Sequence, residues 1–196
     1  MMNMKKSAAE AATFPQIKIE QFRIRLQGDS PLICHAWSKK AKEEMLAKQM
    51  KKAKSAKEAK DPERDFQESL YHLPGGKFGF PAVAFKSAAV DACSHIAGVT
   101  KVEARGAFHI IGDMVEIEGT PIRREDMVKI AMGTADIRYR GEFKEWAVTL
   151  HIRYNSNVLS QGQILNLFNT GGFAIGVGEW RPQKDGSFGM FHCVVD

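Results

Sequence analysis

The residues best suited to bind a ligand lie in a glycine-rich segment late in the sequence, GGFAIGVGEWRPQKDGSFGMF. Its six glycines fall within 19 positions, and glycine lets a backbone turn sharply and approach a ligand with N–H groups free to bind an anion. In the same segment, an indole face beside a guanidinium can stack on a nucleobase and hold a phosphate. The alternative is that the indole packs on the core beneath the loop. The candidate nucleic-acid-binding residues here are Gly176, Gly178, Trp180 and Arg181.

A second candidate set is basic and follows the alternation of predicted strands. In a strand predicted over 17–26, Phe22, Ile24 and Leu26 fall on one side and two arginines on the other. Two strands predicted over 137–154, with a turn near 141–142, repeat this alternation. The outward basic positions of the three strands are Arg23, Arg25, Arg138, Arg140, His151 and Arg153. A basic open sheet face is a common platform for nucleic acid. The alternatives are that these arginines pair with nearby glutamates, or that the face packs against a neighbouring subunit.

Lysine dominates the segment from Lys39 to Lys60, which holds nine lysines against three glutamates. The whole chain has a net charge of +5, so its other residues are close to neutral. A cationic segment on a near-neutral body is expected of an arm that binds phosphates, because each neutralised phosphate releases condensed counterions. The candidate residues in this arm are Lys48, Lys51 and Lys52. The alternative is a solvated helix face.

Signatures of catalysis, cofactor binding and metal binding are absent from the sequence. It contains no Walker A, GxSxG or HExxH motif. The glycine-rich segment is predicted to follow a helix and precede a strand, whereas a dinucleotide fingerprint follows a strand and opens a helix. The six histidines form no recognised metal-site signature with other ligand-type residues. We therefore expect no enzyme activity, no cofactor and no metal; the enzymatic alternative is a nuclease that uses Asp113, Asp136 or another acid with a metal.

Hydrophobic periodicity and helix-breaking residues predict the order of the core elements. The elements are a strand over 17–26, a helix over 81–97, extended structure over 108–118, a helical turn over 120–132, two strands over 137–154, a short helix after the capping box at 160–163, and a last strand over 188–195. The core order of strand, helix, strand, strand, helix, strand predicts an α+β fold. It is a ferredoxin-like or RRM-like antiparallel sheet (βαββαβ) with both helices on one face and the other face open.

Composition favours one domain in a reducing compartment. The 196 residues are 44% apolar, which is enough for one core, and three widely spaced cysteines favour neither a disulfide framework nor a zinc site. No apolar run has the roughly 18 residues needed to span a bilayer, and no hydrophobic secretion signal is present, so we expect a cytoplasmic protein. We predict a disordered leader over 1–14 and a single RRM-like domain over 15–196. An inserted basic helical arm is predicted over 38–73.

Three segments resemble the Cas7-like branch of the RAMP superfamily, the backbone subunits of CRISPR effector complexes. The opening strand runs into SPLICHAWSKKAKEEM, and after the charged insertion the chain returns in GFPAVAFKSAAVDAC, where such proteins form their first helix. The glycine-rich segment is similar to the loop that precedes the last RAMP strand. The resemblance covers residues 17–195 and implies an RRM-like fold with insertions.

The same resemblance implies head-to-tail assembly along single-stranded RNA, with binding largely through the RNA backbone. It places Gly176, Gly178, Trp180 and Arg181 in an RNA-proximal loop, and the lysine arm over nucleic acid or a neighbouring subunit. The chain is shorter than typical members of the family. Its size favours a small relative, such as a phage-encoded one, that coats a strand by itself.

The residues and the resemblance together predict a non-catalytic subunit that binds single-stranded nucleic acid, RNA in preference to DNA. We expect it to form a homo-oligomer along the strand, with an affinity that falls steeply as salt is raised. The alternative, from another functional class, is a structural or interaction protein. Its basic helical arm would then bind a partner subunit without nucleic acid.

Overall fold

Ten strands and five α-helices occur in the described part of the chain, which comprises residues 16–51, 59–130 and 134–194 of a computed structural model. The strands are β1 (Ile19–Gly28), β2 (Leu32–Cys34), β3 (Tyr71–Leu73), β4 (Lys77–Pro81), β5 (Phe108–Ile110), β6 (Met114–Glu118), β7 (Pro121–Ile130), β8 (Thr134–Phe143), β9 (Ala147–Asn155) and β10 (Phe191–Val194). The helices are α1 (Lys39–Gln49), α2 (Pro62–Glu68), α3 (Ala82–Asp91), α4 (Lys101–Ala107) and α5 (Gln161–Ala174). The fold is therefore α+β, as the sequence predicts. Within these ranges, no helix has both the length and the apolar character needed to cross a membrane.

The larger sheet is antiparallel, with its strands in the order β10, β1, β9, β6, β4, β3 and with β5 paired to the far end of β9. In β1 the side chains of Ile24 and Leu26 are buried, and Arg23 and Arg25 point to the opposite face. This alternation is the one predicted from the sequence, although β1 begins two residues later and continues to Gly28. One face of the sheet is thus apolar and covered, and the other is open.

Two helices, α3 and α5, pack against each other and cover the apolar face of this sheet. Phe85 of α3 is fully buried, with its ring centroid 5.9 Å from Phe80, 6.3 Å from Trp146 and 5.8 Å from Phe191. Truncation of such a side chain to alanine costs roughly 3–5 kcal/mol of stability. On α5, Gly172 lies directly against the carbonyl oxygen of Phe191, where any side chain would collide. Close packing of α5 on β10 therefore accounts for glycine in the last turn of α5.

The predicted helix boundaries are partly observed. The capping box that opens α5 is present: Ser160 Oγ accepts from Gln163 N (3.2 Å), and Gln163 Oε1 accepts from Ser160 N (2.9 Å). The helix predicted over 81–97 is shorter, because α3 ends at Asp91 and a single 3₁₀ turn follows at residues 92–94.

A second, three-stranded sheet in the order β2, β8, β7 corrects the prediction for residues 120–132. The predicted helical turn is wrong, since residues 121–130 form β7, which pairs with β8 from Pro121 opposite Phe143 to Ile130 opposite Thr134; residues 131–132 lie outside the described part of the chain. Ten residues of cross-strand pairing outweigh the weak local preference for a helical turn. The turn predicted near 141–142 is also misplaced, because β8 continues to Phe143 before the chain enters β9.

The segment predicted as a basic arm has two different halves. Its first half contains α1, whose Ser38 cap accepts from Ala41 N (3.1 Å) and whose side chains are mostly exposed. The second half, residues 62–73, packs on the body: Phe66 and Leu70 are buried, and Ser69 Oγ accepts from the Gly141 amide of β8 (2.7 Å). Burial of these two apolar residues, together with the pairing of β3 with β4, anchors this half despite the charges around it.

Candidate nucleic-acid interface

The structure divides the predicted binding residues between two surfaces and one helix. Arg23, Arg25 and Arg153 lie on the open face of the larger sheet, as predicted. Arg138 and Arg140 do not lie there, because β8 belongs to the second sheet. These two residues and the glycine-rich loop border a cleft on another side of the molecule. Lys48 in α1 and Lys51 just after it are exposed, and Lys52 lies outside the described residues, so the role of the arm remains a prediction.

The first surface, which we call the basic strip, crosses the open sheet face and ends at α3. Its members are Arg23, Lys86, His109, His151 and Arg153. Arg23 of β1 lies opposite His151 of β9, and Arg153 lies opposite His109 of β5. Lys86 reaches this row from α3, where its Nζ donates to the Arg105 carbonyl (3.0 Å) and lies 3.1 Å from His109 Nδ1.

Positive charge in the basic strip is not neutralised by neighbouring acids. Within the described ranges, Arg23, Lys86 and Arg153 make no ion pair with a carboxylate. Asp113 lines the same shallow hollow as Lys86 and His109, without an ion pair to either. Burial lowers the pKa of His109, and the charges of Lys86 and Arg153 lower it further. Burial also lowers the pKa of Lys86. The strip is therefore a locally cationic surface.

Arg25, although on the same face, differs from the strip. Its guanidinium donates two hydrogen bonds to the Glu118 carboxylate, both at 2.7 Å, and this contact lowers the pKa of Glu118. Beyond it, Lys77 pairs with Glu116 (2.8 Å). The β6 side of the face is thus charge-compensated, and the β5 side is not.

Among the described residues, the strip offers no exposed Phe, Tyr or Trp ring on which a base could stack. In the part of the chain that the structure describes, the exposed Phe and Trp side chains are Trp37, Phe173 and Trp180, and none of them lies on this face. A ligand of the strip would therefore be held by its charge, as a phosphate backbone is, and its bases would remain unread.

The second surface, which we call the central cleft, consists of adjoining hollows of about 390, 500 and 660 Å³ that meet at His35. The first, the loop hollow, lies between the glycine-rich loop and α3. The second, the α1–β8 hollow, lies between the start of α1, α2 and β8. The cleft contains predicted residues from both sets: Gly176, Gly178 and Arg181 line the loop hollow, and Arg138 and Arg140 line the α1–β8 hollow.

The glycine-rich loop is held tightly against β2. Gly176 and Gly178 have φ angles of 67° and 79°, which favour glycine, and the Glu179 amide donates to the Ile33 carbonyl (3.1 Å). The Arg181 guanidinium donates to the carbonyl oxygen of Gly178 (3.1 Å) and to a glutamine side chain. Trp180 has a φ of 57° and is 44% exposed, so it does not pack fully into the core beneath the loop.

Most charges of the central cleft are paired. His35 Nδ1 lies 3.3 Å from Glu179 Oε1, and this contact lowers the pKa of Glu179. Arg140, predicted on an open face, is only 3% exposed and forms a buried ion pair with Asp126 (3.2 Å). The reason is its strand: the inward face of the β7–β8 hairpin carries a network of alternating charges. That network comprises Arg124, Asp126, Arg140 and Glu142.

Sequence reasoning missed three residues of these surfaces. Lys86 comes from a helix and His109 from a three-residue strand, so no single alternating pattern connects them with Arg153. Trp37 is 62% exposed beside the α1–β8 hollow. It comes just before the lysine segment, and no sequence pattern marked it as a binding residue. In the described residues, no group of three or more His, Cys, Asp or Glu side chains is placed to hold a metal ion.

Comparison with known proteins identifies no family. No family model matches the chain, and no curated protein matches it. Among solved structures, the chain is similar to the crystal structure of Cmr6 from Pyrococcus furiosus, with a TM-score of 0.47 and 8% sequence identity. The similarity covers 90% of this chain and 99% of that chain, and it is one of fold alone.

Proposed function

We propose that this protein is a non-catalytic subunit that binds single-stranded nucleic acid, RNA in preference to DNA, through contacts of the basic strip with the phosphate backbone. The observation that carries the proposal is the uncompensated charge of the strip. Lys86 and Arg153 both lie close enough to His109 to lower its pKa, and a bound polyanion would offset these neighbouring cations. The preference for RNA follows the resemblance to Cas7-like proteins.

We also propose that β1, α3, β6, β9, α5 and β10 form a βαββαβ core of the RRM-like kind. The antiparallel order β10, β1, β9, β6 supports it, as does the packing of α3 and α5 against each other. In this arrangement the sheet residues of the strip lie on the face opposite the two helices, which is where RRM-like sheets present their ligand-binding surface, and Lys86 reaches them from α3.

The third part of the proposal is that the subunits assemble head to tail along the nucleic-acid strand, and it rests on the resemblance to Cas7-like proteins. Light scattering with strands of 12, 24 and 48 nucleotides tests it: the number of subunits bound should increase with strand length. A protein that oligomerises equally with and without strand would support the alternative function, a structural protein whose arm binds a partner subunit.

Fluorescence anisotropy with labelled single-stranded RNA and DNA tests the binding function itself. The double variant Arg23→Ala/Arg153→Ala should bind about tenfold more weakly or worse, because two charge-assisted contacts are lost. The slope of log affinity against log salt should become shallower by about 1.4, the value for two phosphates on a single strand.

The matched control is Lys129→Ala/Lys144→Ala, which removes two exposed positive charges outside the strip. Equal weakening by the two double variants would contradict a specific role for the strip and indicate a response to net charge alone. A subunit without catalytic activity should leave the labelled RNA and DNA at full length after incubation with Mg²⁺.

A further inference from the structure

The α1–β8 hollow of the central cleft has a chemistry that differs from that of the strip. Its volume of about 500 Å³ falls in the range of small-molecule sites. Trp37 stands at its edge with 62% of its surface exposed, although a buried indole would stabilise the fold. An exposed ring beside a hollow of this size can stack on another flat ring.

A buried donor without a partner lies in the wall of the same hollow. Arg140 is 3% exposed, and its Nε has no hydrogen-bond partner among the described residues. An unsatisfied buried N–H is unfavourable, so an acceptor atom supplied by a ligand would be stabilising. The charge of Arg140 is already balanced by Asp126 (3.2 Å), which leaves this N–H suited to a neutral acceptor such as a ring nitrogen or a carbonyl oxygen.

Acids around the hollow disfavour a phosphate as its ligand. Asp65, Glu68 and Glu179 are among its lining residues, and Asp136 is paired with Lys60. Arg138 lies 3.8 Å from the same aspartate. The hollow therefore presents donors and acceptors with nearly balanced charge, beside one exposed ring.

We propose that the α1–β8 hollow binds a nucleobase, which stacks on Trp37 and, once the Arg140 side chain turns toward the hollow, accepts a hydrogen bond from its buried and unpartnered Nε. The base can come from two sources. One is a nucleic-acid strand held on the basic strip, and for this source the inference rests on the proposed function. Val83, which is 66% exposed, lines both the hollow at the end of the strip and the loop hollow of the cleft, so a strand that leaves the strip over α3 enters the cleft. The other source is a free nucleoside.

Three ligands separate these sources: an oligouridine strand, an abasic ribose-phosphate strand of equal length, and free uridine. The intact protein should bind the abasic strand about tenfold more weakly than oligouridine, the effect of one lost stacking contact. Trp37→Ala should bind oligouridine about as weakly as the intact protein binds the abasic strand. Trp37→Phe, which keeps an aromatic ring, should recover part of the difference.

Phe173→Ala is the matched control, since it removes another exposed aromatic ring that lines none of the three hollows of the cleft and is not among the predicted binding residues. Equal affinity of the intact protein for the two strands, or equal losses in Trp37→Ala and Phe173→Ala, would overturn the base site and leave the strip proposal standing. If no strand binds, the proposed function fails, and free uridine then decides the base site. Quenching of tryptophan fluorescence by uridine in the intact protein but not in Trp37→Ala supports the site, and its absence overturns it.

Discussion

The basic strip and the central cleft both contain arginines, yet these arginines are in opposite electrostatic situations. Arg23 and Arg153 in the strip are exposed and have no carboxylate partner among the described residues, whereas Arg140 in the cleft is buried against Asp126. The strip has no exposed Trp, Phe or Tyr, and the cleft has Trp37 at its edge. An arginine can therefore bind a phosphate only where the fold has not already paired its guanidinium with a carboxylate. A surface of paired charges needs a different ligand chemistry.

The largest expected difference between the two regions is in stability. Arg140→Met should lower the free energy of unfolding by about 3 kcal/mol, because it leaves Asp126 buried with one cation fewer. Arg23→Met should change it by less than about 0.5 kcal/mol, since the side chain is exposed and unpaired. Urea unfolding of both variants measures the difference. Equal values would contradict the distinction between structural and available arginines.

Binding should respond in the reverse order. Arg23→Glu/Arg153→Glu should weaken binding of a single strand by about 100-fold or more, because attraction of the backbone becomes repulsion. Arg138→Glu, a charge reversal at the cleft, should cost threefold or less, since Arg138 is already near Asp136 (3.8 Å). Anisotropy at a fixed salt concentration compares them, after circular dichroism has shown that both variants are folded. A stronger effect at Arg138 would move the backbone site to the cleft.

Acidity should strengthen binding at the strip by several-fold between pH 7.5 and pH 5.5. The pKa of His109 is lowered in the free protein by burial and by Lys86 and Arg153, so the ring is neutral near pH 7. A bound phosphate offsets these cations and raises that pKa, hence binding takes up a proton and is tighter at lower pH. His109→Gln should flatten the pH profile of affinity. In the free protein the same lowered pKa makes the contribution of His109 to stability highest above pH 6.5, and this contribution decreases as the pH falls below that value.

The smallest effect is expected at the boundary between compensated and uncompensated charge. Glu118→Gln removes the carboxylate to which Arg25 donates at 2.7 Å, so the negative charge beside the strip decreases. Affinity for a single strand should rise about two- to threefold. Glu116→Gln removes an acid of the same strand that is paired with Lys77 of β4 (2.8 Å), on the side of β6 away from β9, and should have a weaker effect. Anisotropy titrations at low salt measure the affinities of both variants. If Glu118→Gln does not raise the affinity, the β6 side of the sheet face does not face the bound nucleic acid.

Local periodicity was a sound guide wherever one side of an element is buried. It predicted the outward direction of Arg23 and Arg25 in β1 and of His151 and Arg153 in β9. A local four-residue motif predicted the capping box that opens α5. Periodicity failed for β7, where charged and apolar residues occupy both faces of a hairpin, so no single alternation distinguishes a strand from a helical turn. The buried side of that hairpin is polar, and its ion pairs are invisible to a search for apolar patterns.

The sequence by itself determined the α+β class, the directions of the side chains in β1 and β9, and the concentration of glycine beside Trp180. Each of these depends on a period of two or four residues or on a local backbone preference, which neighbours along the chain express directly. Only the tertiary structure decided that Arg138 and Arg140 belong to another sheet, and that Lys86 and His109 join Arg153. Sheet membership and charge pairing depend on residues many positions apart, and the chain brings those residues together only when its core packs.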